Sequence, residues 1–122
     1  MSTIVLPPDT AAVSQARRFV RSCCHTAGVT GDACDTAVLL TSETVTNAFV
    51  HGRSEARLAV TIVAGAVLIE IGDDNSRHPQ QVEDDADALD GRGLVIMTTL
   101  AARWGVRDER VGKTVWFEVR VS

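Results

Sequence analysis

No apolar run in the 122-residue sequence approaches the ~20 residues that a membrane-spanning helix needs. The N-terminus lacks a basic stretch followed by an apolar one, so no secretory leader is read there and the cytoplasm is the expected compartment. Net positive charge is also missing. The formal charge of −4 argues against direct nucleic-acid binding and against an anionic membrane surface. Cysteine is scarce: Cys23 and Cys24 are adjacent and Cys34 is left over, so no disulfide framework is suggested. With His25 these cysteines can be drawn as zinc ligands, but the spacing is that of no known zinc module, and small buried side chains in helices are the expectation. No linker, repeat or low-complexity segment interrupts the first half, and the length suits one domain over residues 1–122.

What is present supports a real core. Apolar residues make up 45 % of the chain, enough to bury about two thirds of the unfolded surface. Ile4, Val5 and Leu6 read as a short strand stopped by Pro7 and Pro8. Asp9 or Thr10 can cap the next helix, whose apolar residues Ala12, Ala16, Phe19, Val20, Cys23 and Ala27 recur at helical spacing until Gly28. Arg17, Arg18 and Arg21 lie on its polar side, which suits an ordinary solvated face or a surface for a partner protein.

Thr30 or Asp32 caps a second helix that runs to Gly52. Val38, Val45 and Phe49 share its core side, roughly opposite Glu43. Glu43, Asn47 and His51 are four apart, so at about 100° per residue they stay on one face. A carboxylate can accept a proton, an amide oxygen can hold a hard cation such as Mg²⁺, and an imidazole can donate to an anion. From these three alone a solvated face is the commoner outcome.

Leu58, Val60 and Ile62, then Val67, Ile69 and Ile71, alternate with their neighbours about a turn at Ala64-Gly65, the pattern of an antiparallel hairpin. The second strand runs into Gly72-Asp73-Asp74-Asn75-Ser76. A carboxylate there suits either turn chemistry or a pocket mouth that accepts from a ligand amine. Residues 76–90 are polar, contain Pro79 and the acidic run from Glu83 to Asp90, and read as a long lid or binding loop. Gly91-Arg92-Gly93-Leu94 opens a third helix to about Ala101. Glycines at a helix start admit a phosphate, although most such pairs are only loops. A short strand over 104–107 and a turn at Asp108 to Gly112 lead to the last strand, where Val115, Phe117, Val119 and Val121 alternate with Thr114, Trp116, Glu118 and Arg120. Lys113, at its start, is of a kind more often exposed than ligand-bound. The order implies an α+β fold, a two-layer α/β sandwich with helices on one face of a mixed, mostly antiparallel sheet.

Four separated segments then share one recognisable order. Ser42-Glu43-Thr44-Val45-Thr46-Asn47-Ala48 with His51 resembles the N box of the GHKL (Bergerat) ATP-binding fold of gyrase, Hsp90, histidine kinases and MutL. Ile71-Gly72-Asp73-Asp74-Asn75 through Pro79 resembles its first glycine box, Gly91-Arg92-Gly93-Leu94 the second, and Gly112-Lys113-Thr114-Val115-Trp116 its closing segment. The chain looks most like the small anti-sigma regulatory factors, the serine-protein kinases of bacterial partner-switching systems. That resemblance implies ATP or ADP and Mg²⁺ as cofactors, with a lid over about 75–92. It implies Asn47 on the Mg²⁺ that bridges the phosphates, Glu43 as general base, Asp73 as acceptor from the adenine amino group and Thr114 as a hydroxyl near the adenine. It also implies His51 and the Gly91, Arg92, Gly93 and Leu94 segment near the phosphates. The implied partners are an anti-anti-sigma (STAS-type) protein and a sigma factor, with a homodimer through helix one as a further candidate. The implied activity is protein serine/threonine kinase, the alternatives being a nucleotide-dependent binding module or a weak ATPase. Two departures stand out: Asp-Asp-Asn-Ser-Arg replaces the Asp-x-Gly-x-Gly of large members, and the second box has two glycines.

Overall fold

The computed structural model describes residues 1–52, 55–74 and 99–121, with backbone alone over 49–52. The elements are β1 (Ser2–Leu6), α1 (Ala11–Thr26), α2 (Asp32–Gly52), β2 (Ala56–Val63), β3 (Ala66–Asp73), β4 (Arg103–Asp108) and β5 (Lys113–Arg120). The strands form one sheet in the order β1-β2-β3-β5-β4. Every described pairing is antiparallel, so the mixed character expected from the sequence is not found among the described strands.

Local chemistry explains the element ends. At the start of α1 it is Asp9, not Thr10, that caps, its Oδ1 accepting from the Ala11 N–H at 2.8 Å. At the other end Gly28 takes φ +78°. The Val29 N–H then donates to the Cys24 carbonyl at 2.7 Å and the Gly28 N–H to the His25 carbonyl at 3.1 Å. That pair of bonds is a Schellman stop, and Val29 buries itself beside it. Gly65, at φ +81°, closes the hairpin between β2 and β3.

The core lies between α1, α2 and one face of the sheet. Ala12, Ala16, Val20 and Cys24 recur every four residues along α1 and are all buried. They meet Ala33, Cys34 and Ala37 of α2, so small side chains line the helix–helix seam. Leu58 and Val60 of β2, Val67, Ile69 and Ile71 of β3, and Val115, Phe117 and Val119 of β5 supply the sheet side. By register Phe117 sits between Ile69 and Trp104, which places its ring in the middle of that layer. The outer face is polar, with Arg107 bonded to Glu70 (3.3 Å) and Glu109 (3.0 Å), and Arg103 to Glu118 (2.9 Å). Such exposed pairs contribute little to stability. None of the described helices is long and apolar enough to cross a membrane. Of the third helix expected to about Ala101, residues 99–101 are described: Thr99 and Leu100 are helical and Ala101 is not.

Burial makes a chemical prediction for the seam. The Cys24 thiol is pushed up to about 12, first by desolvation and then by the adjacent Cys34 thiol. Cys23 is only half-buried. At pH 8 an alkylating reagent should label Cys23 in the native protein and reach Cys24 and Cys34 only after denaturation, as read by mass spectrometry. Native labelling of Cys24 at the rate of Cys23 would contradict the packing of α1 on α2. Stability from the protonated Cys24 is therefore complete below its ordinary value of 9.0 and is lost as pH rises towards about 12.

Candidate functional site

The second half of α2 has no described side chain open to solvent. From Leu40 to Ala48 every residue is buried or half-buried. Two threonines satisfy themselves along the helix, Thr44 Oγ1 donating to the Leu40 carbonyl at 2.8 Å and Thr46 Oγ1 to the Ser42 carbonyl at 2.7 Å. Asn47 is different. Its Oδ1 is buried and, among the described residues, accepts no hydrogen bond; Thr41 Oγ1 shares that condition. A buried amide oxygen without a donor is costly, and a donor or hard cation brought by a ligand would satisfy it. Glu43 lies one turn before Asn47 and is half-buried. The face expected to be either solvated or a working surface is therefore sheltered.

The second part of the site is at the end of β3. Asp73 continues the inward series Val67, Ile69, Ile71, and so faces the helix layer rather than solvent. Only 2 % of it is exposed. Opposite it by register, at the first position of β5, stands Lys113, itself 6 % exposed. The Lys113 Nζ donates to Asp73 Oδ1 at 3.1 Å and Oδ2 at 3.2 Å. The expectation of an exposed lysine is thus overturned: alternation with Val115, Phe117 and Val119 carries Lys113 to the inner face, and the buried carboxylate holds it there. Truncating either member would remove this hydrogen-bonded charge contact from a buried position, a costly loss.

Gly112 makes the approach close enough. Its φ is +80°, and a Cβ there would overlap the Asp73 carbonyl oxygen. Only glycine satisfies both demands.

Thr114 lies on the opposite side of the sheet from Asp73. It pairs in register with Gly72, and its Oγ1 donates to Glu109 Oε2 at 2.8 Å. That hydrogen bond, with Arg107 second, holds the Glu109 carboxyl below the usual range. On the same face the Trp116 indole lies over Gly105, and Arg57 reaches Asp74 at 3.6 Å. Asp73 and Lys113 are thus brought together, and Thr114 is not brought to them. The side chain of His51, and Gly91, Arg92, Gly93 and Leu94, lie outside the described residues. The sequence reading missed Lys113, although the alternation of β5 carried one residue back would have placed it.

On α1, Arg17, Arg18 and Arg21 line a shallow concavity with Ser14. Arg18 bonds Ser14 Oγ at 2.9 Å and Arg21 reaches Asp35 at 3.5 Å. No cluster of three or more candidate metal ligands is found among the described histidines, cysteines and carboxylates.

Comparison with solved structures extends this picture. The RsbU and RsbW domains of Rv1364c from Mycobacterium tuberculosis superpose with a TM-score of 0.76 at 19 % identity, over 99 % of this chain and 33 % of that one. The chain therefore spans about a third of that protein's length. The SiaB–SiaC complex from Pseudomonas aeruginosa gives 0.65 at 10 % identity, over 98 % of this chain and 88 % of that one. The histidine kinase domain of a blue-light activated kinase from Erythrobacter litoralis gives 0.58 at 17 % identity, over 89 % and 60 %. These are likenesses of fold. Comparison with curated proteins finds no match by sequence. The family model for the histidine kinase-like ATPase domain matches residues 6–119, nearly the whole chain, and the chain belongs to that family.

Proposed function

We propose that this domain, residues 1–122, binds ATP and transfers its γ-phosphoryl group to a serine or threonine hydroxyl of a partner protein. The observation that carries this is the buried Asn47 Oδ1, with no donor among the described residues, one turn from Glu43, on the helix that packs against β3 and β5. An amide oxygen of that kind fits a hard cation, so Asn47 would hold Mg²⁺, which when bound neutralises phosphate charge. Glu43 accepts the proton of the attacking hydroxyl. That oxygen forms its bond to the γ-phosphorus as the bond to the β-phosphate oxygen breaks, and ADP leaves. Asp73 accepts from the adenine amino group. By the family resemblance, His51, Gly91, Arg92, Gly93 and Leu94 would serve the phosphates, and residues of about 75–92 would act as the lid. Phosphoryl transfer asks mainly for positioning and charge stabilisation, so these groups suffice.

The reading of the partner is supported by the fold likeness to the RsbU–RsbW and SiaB–SiaC structures and by the arginine face of α1. The acceptor is an anti-anti-sigma (STAS-type) protein in the cytoplasm. The arginine face of α1, with Arg17, Arg18 and Arg21, is the docking face for that partner, for a sigma factor held in the alternative state, or for a second copy of the chain.

Calorimetric titration with ATP and with GTP, each with Mg²⁺, tests the pocket. ATP should bind in preference to GTP, and Asn47→Ala should weaken ATP by about a hundredfold in line with the loss of a metal-positioning group. A folded protein that binds no nucleotide would refute the proposal. Binding without transfer to any partner would leave a nucleotide-dependent binding module.

A further inference from the structure

The buried pair of Asp73 and Lys113 has a chemical meaning beyond mutual neutralisation. A carboxylate and an ammonium side by side present an acceptor next to a donor. The Watson–Crick edge of adenine is the complement, since its 6-amino group donates and its ring N1 accepts. Guanine carries the reverse order, an accepting O6 and a donating N1–H.

We propose that Lys113 is a specificity-determining residue, donating to adenine N1 while Asp73 accepts from the 6-amino group. The inference rests on the reading of Asp73 as the adenine acceptor, and it replaces Thr114 by Lys113 as the second group at the base. The geometry supports it in three ways. Lys113 and Asp73 are Cα partners on adjacent strands, and both side chains lie on the face toward α2. The Nζ lies 3.1 and 3.2 Å from the two carboxylate oxygens, so donor and acceptor are at base-edge separation. Gly112, whose backbone packs on that of Asp73, fixes the pair in place, so a base meets it preorganised. An ammonium has three donors and a carboxylate about four acceptor sites, more than the contact between the two uses.

Discrimination against GTP then comes from both members. Guanine would set O6 against the carboxylate and N1–H against the ammonium, and a buried site that cannot satisfy its polar groups rejects the wrong ligand strongly.

The test uses the full chain and three nucleotides with Mg²⁺: ATP, 1-deaza-ATP, whose ring N1 is a C–H, and purine riboside triphosphate, which lacks the 6-amino group. Replacing N1 reports on Lys113, and removing the amino group reports on Asp73. Wild-type protein should bind 1-deaza-ATP at least about tenfold more weakly than ATP, as expected for one charge-assisted hydrogen bond. In Lys113→Met the two should fall within about twofold of each other. The comparison within the wild-type protein decides the matter even if that variant does not fold. Equal affinity for ATP and 1-deaza-ATP in the wild type would overturn the proposal and leave Lys113 as a counter-charge only. An undiminished affinity for purine riboside triphosphate would overturn the Asp73 contact, and with it this reading of the pair. Failure of ATP itself to bind would overturn the proposed function.

Discussion

Glu43→Gln should leave ATP affinity within about twofold of wild type and lower phosphoryl transfer by roughly 10²–10⁴, the span of a lost general base. The substitution keeps the shape of the side chain and one carbonyl acceptor but cannot take the hydroxyl proton. Glu43 is half-buried on α2, one turn from Asn47, so Gln fits the same space without exposing core. The two residues then separate by role. Asn47→Ala strikes binding, whereas Glu43→Gln strikes the step after binding, a contrast that a merely structural carboxylate would not produce. The measurement pairs a calorimetric titration with transfer of labelled phosphate from ATP to a partner protein. Transfer by Glu43→Gln within a factor of about ten of wild type would remove Glu43 from the base role. Weakened ATP binding by the same variant would make it a binding residue instead.

The architecture was legible because its signals are local. The helical recurrence of Ala12, Ala16, Phe19, Val20, Cys23 and Ala27 marked α1 and Gly28 its end, although Cys24 rather than Cys23 proves to be the fully buried cysteine of that stretch. Alternation in β2, β3 and β5 fixed which side chains enter the core, and Ala64-Gly65 fixed the hairpin. The candidate site was legible only in part. Asn47 was singled out as a cation ligand from its place beside Glu43 and His51, and in the structure its Oδ1 is buried with no hydrogen-bond donor among the described residues. Lys113 was read by residue habit and Thr114 by the family resemblance, neither of them by strand phase. A lysine at a strand end is normally solvated, and what buries this one is Asp73, 40 residues earlier in the chain. No local pattern names that partner, although strand phase gives the face. Phase alone would have placed Lys113 with Val115 and Phe117, and Thr114 with Trp116 and Glu118 on the polar face.

Gly112→Ala should be the most damaging single-methyl change in the described part of the molecule, and Gly65→Ala shows why by contrast. Both glycines sit at φ near +80°, so each substitution incurs the left-handed penalty of roughly 1–2 kcal/mol. At Gly65 an added Cβ meets nothing within 4 Å, and the penalty ends there. At Gly112 the same atom overlaps the Asp73 carbonyl and crowds the Asp74 backbone. Backbone cannot rotate out of the way as a side-chain tip can, so the turn before β5 must move, for a further 1–3 kcal/mol or so. A total near 3 kcal/mol should lower Tm by roughly 10 °C in a domain of this size. The displacement also pulls Lys113 off Asp73, because the two are held together by that close approach. Gly112→Ala should therefore lose ATP affinity at temperatures where it remains folded, while Gly65→Ala, at the far end of β3, should keep it. Thermal denaturation and nucleotide titration of the two variants side by side give the answer. Equal and small losses of Tm would mean that the Gly112 backbone does not rest on Asp73, and an unchanged ATP affinity in Gly112→Ala would uncouple that contact from the base pocket.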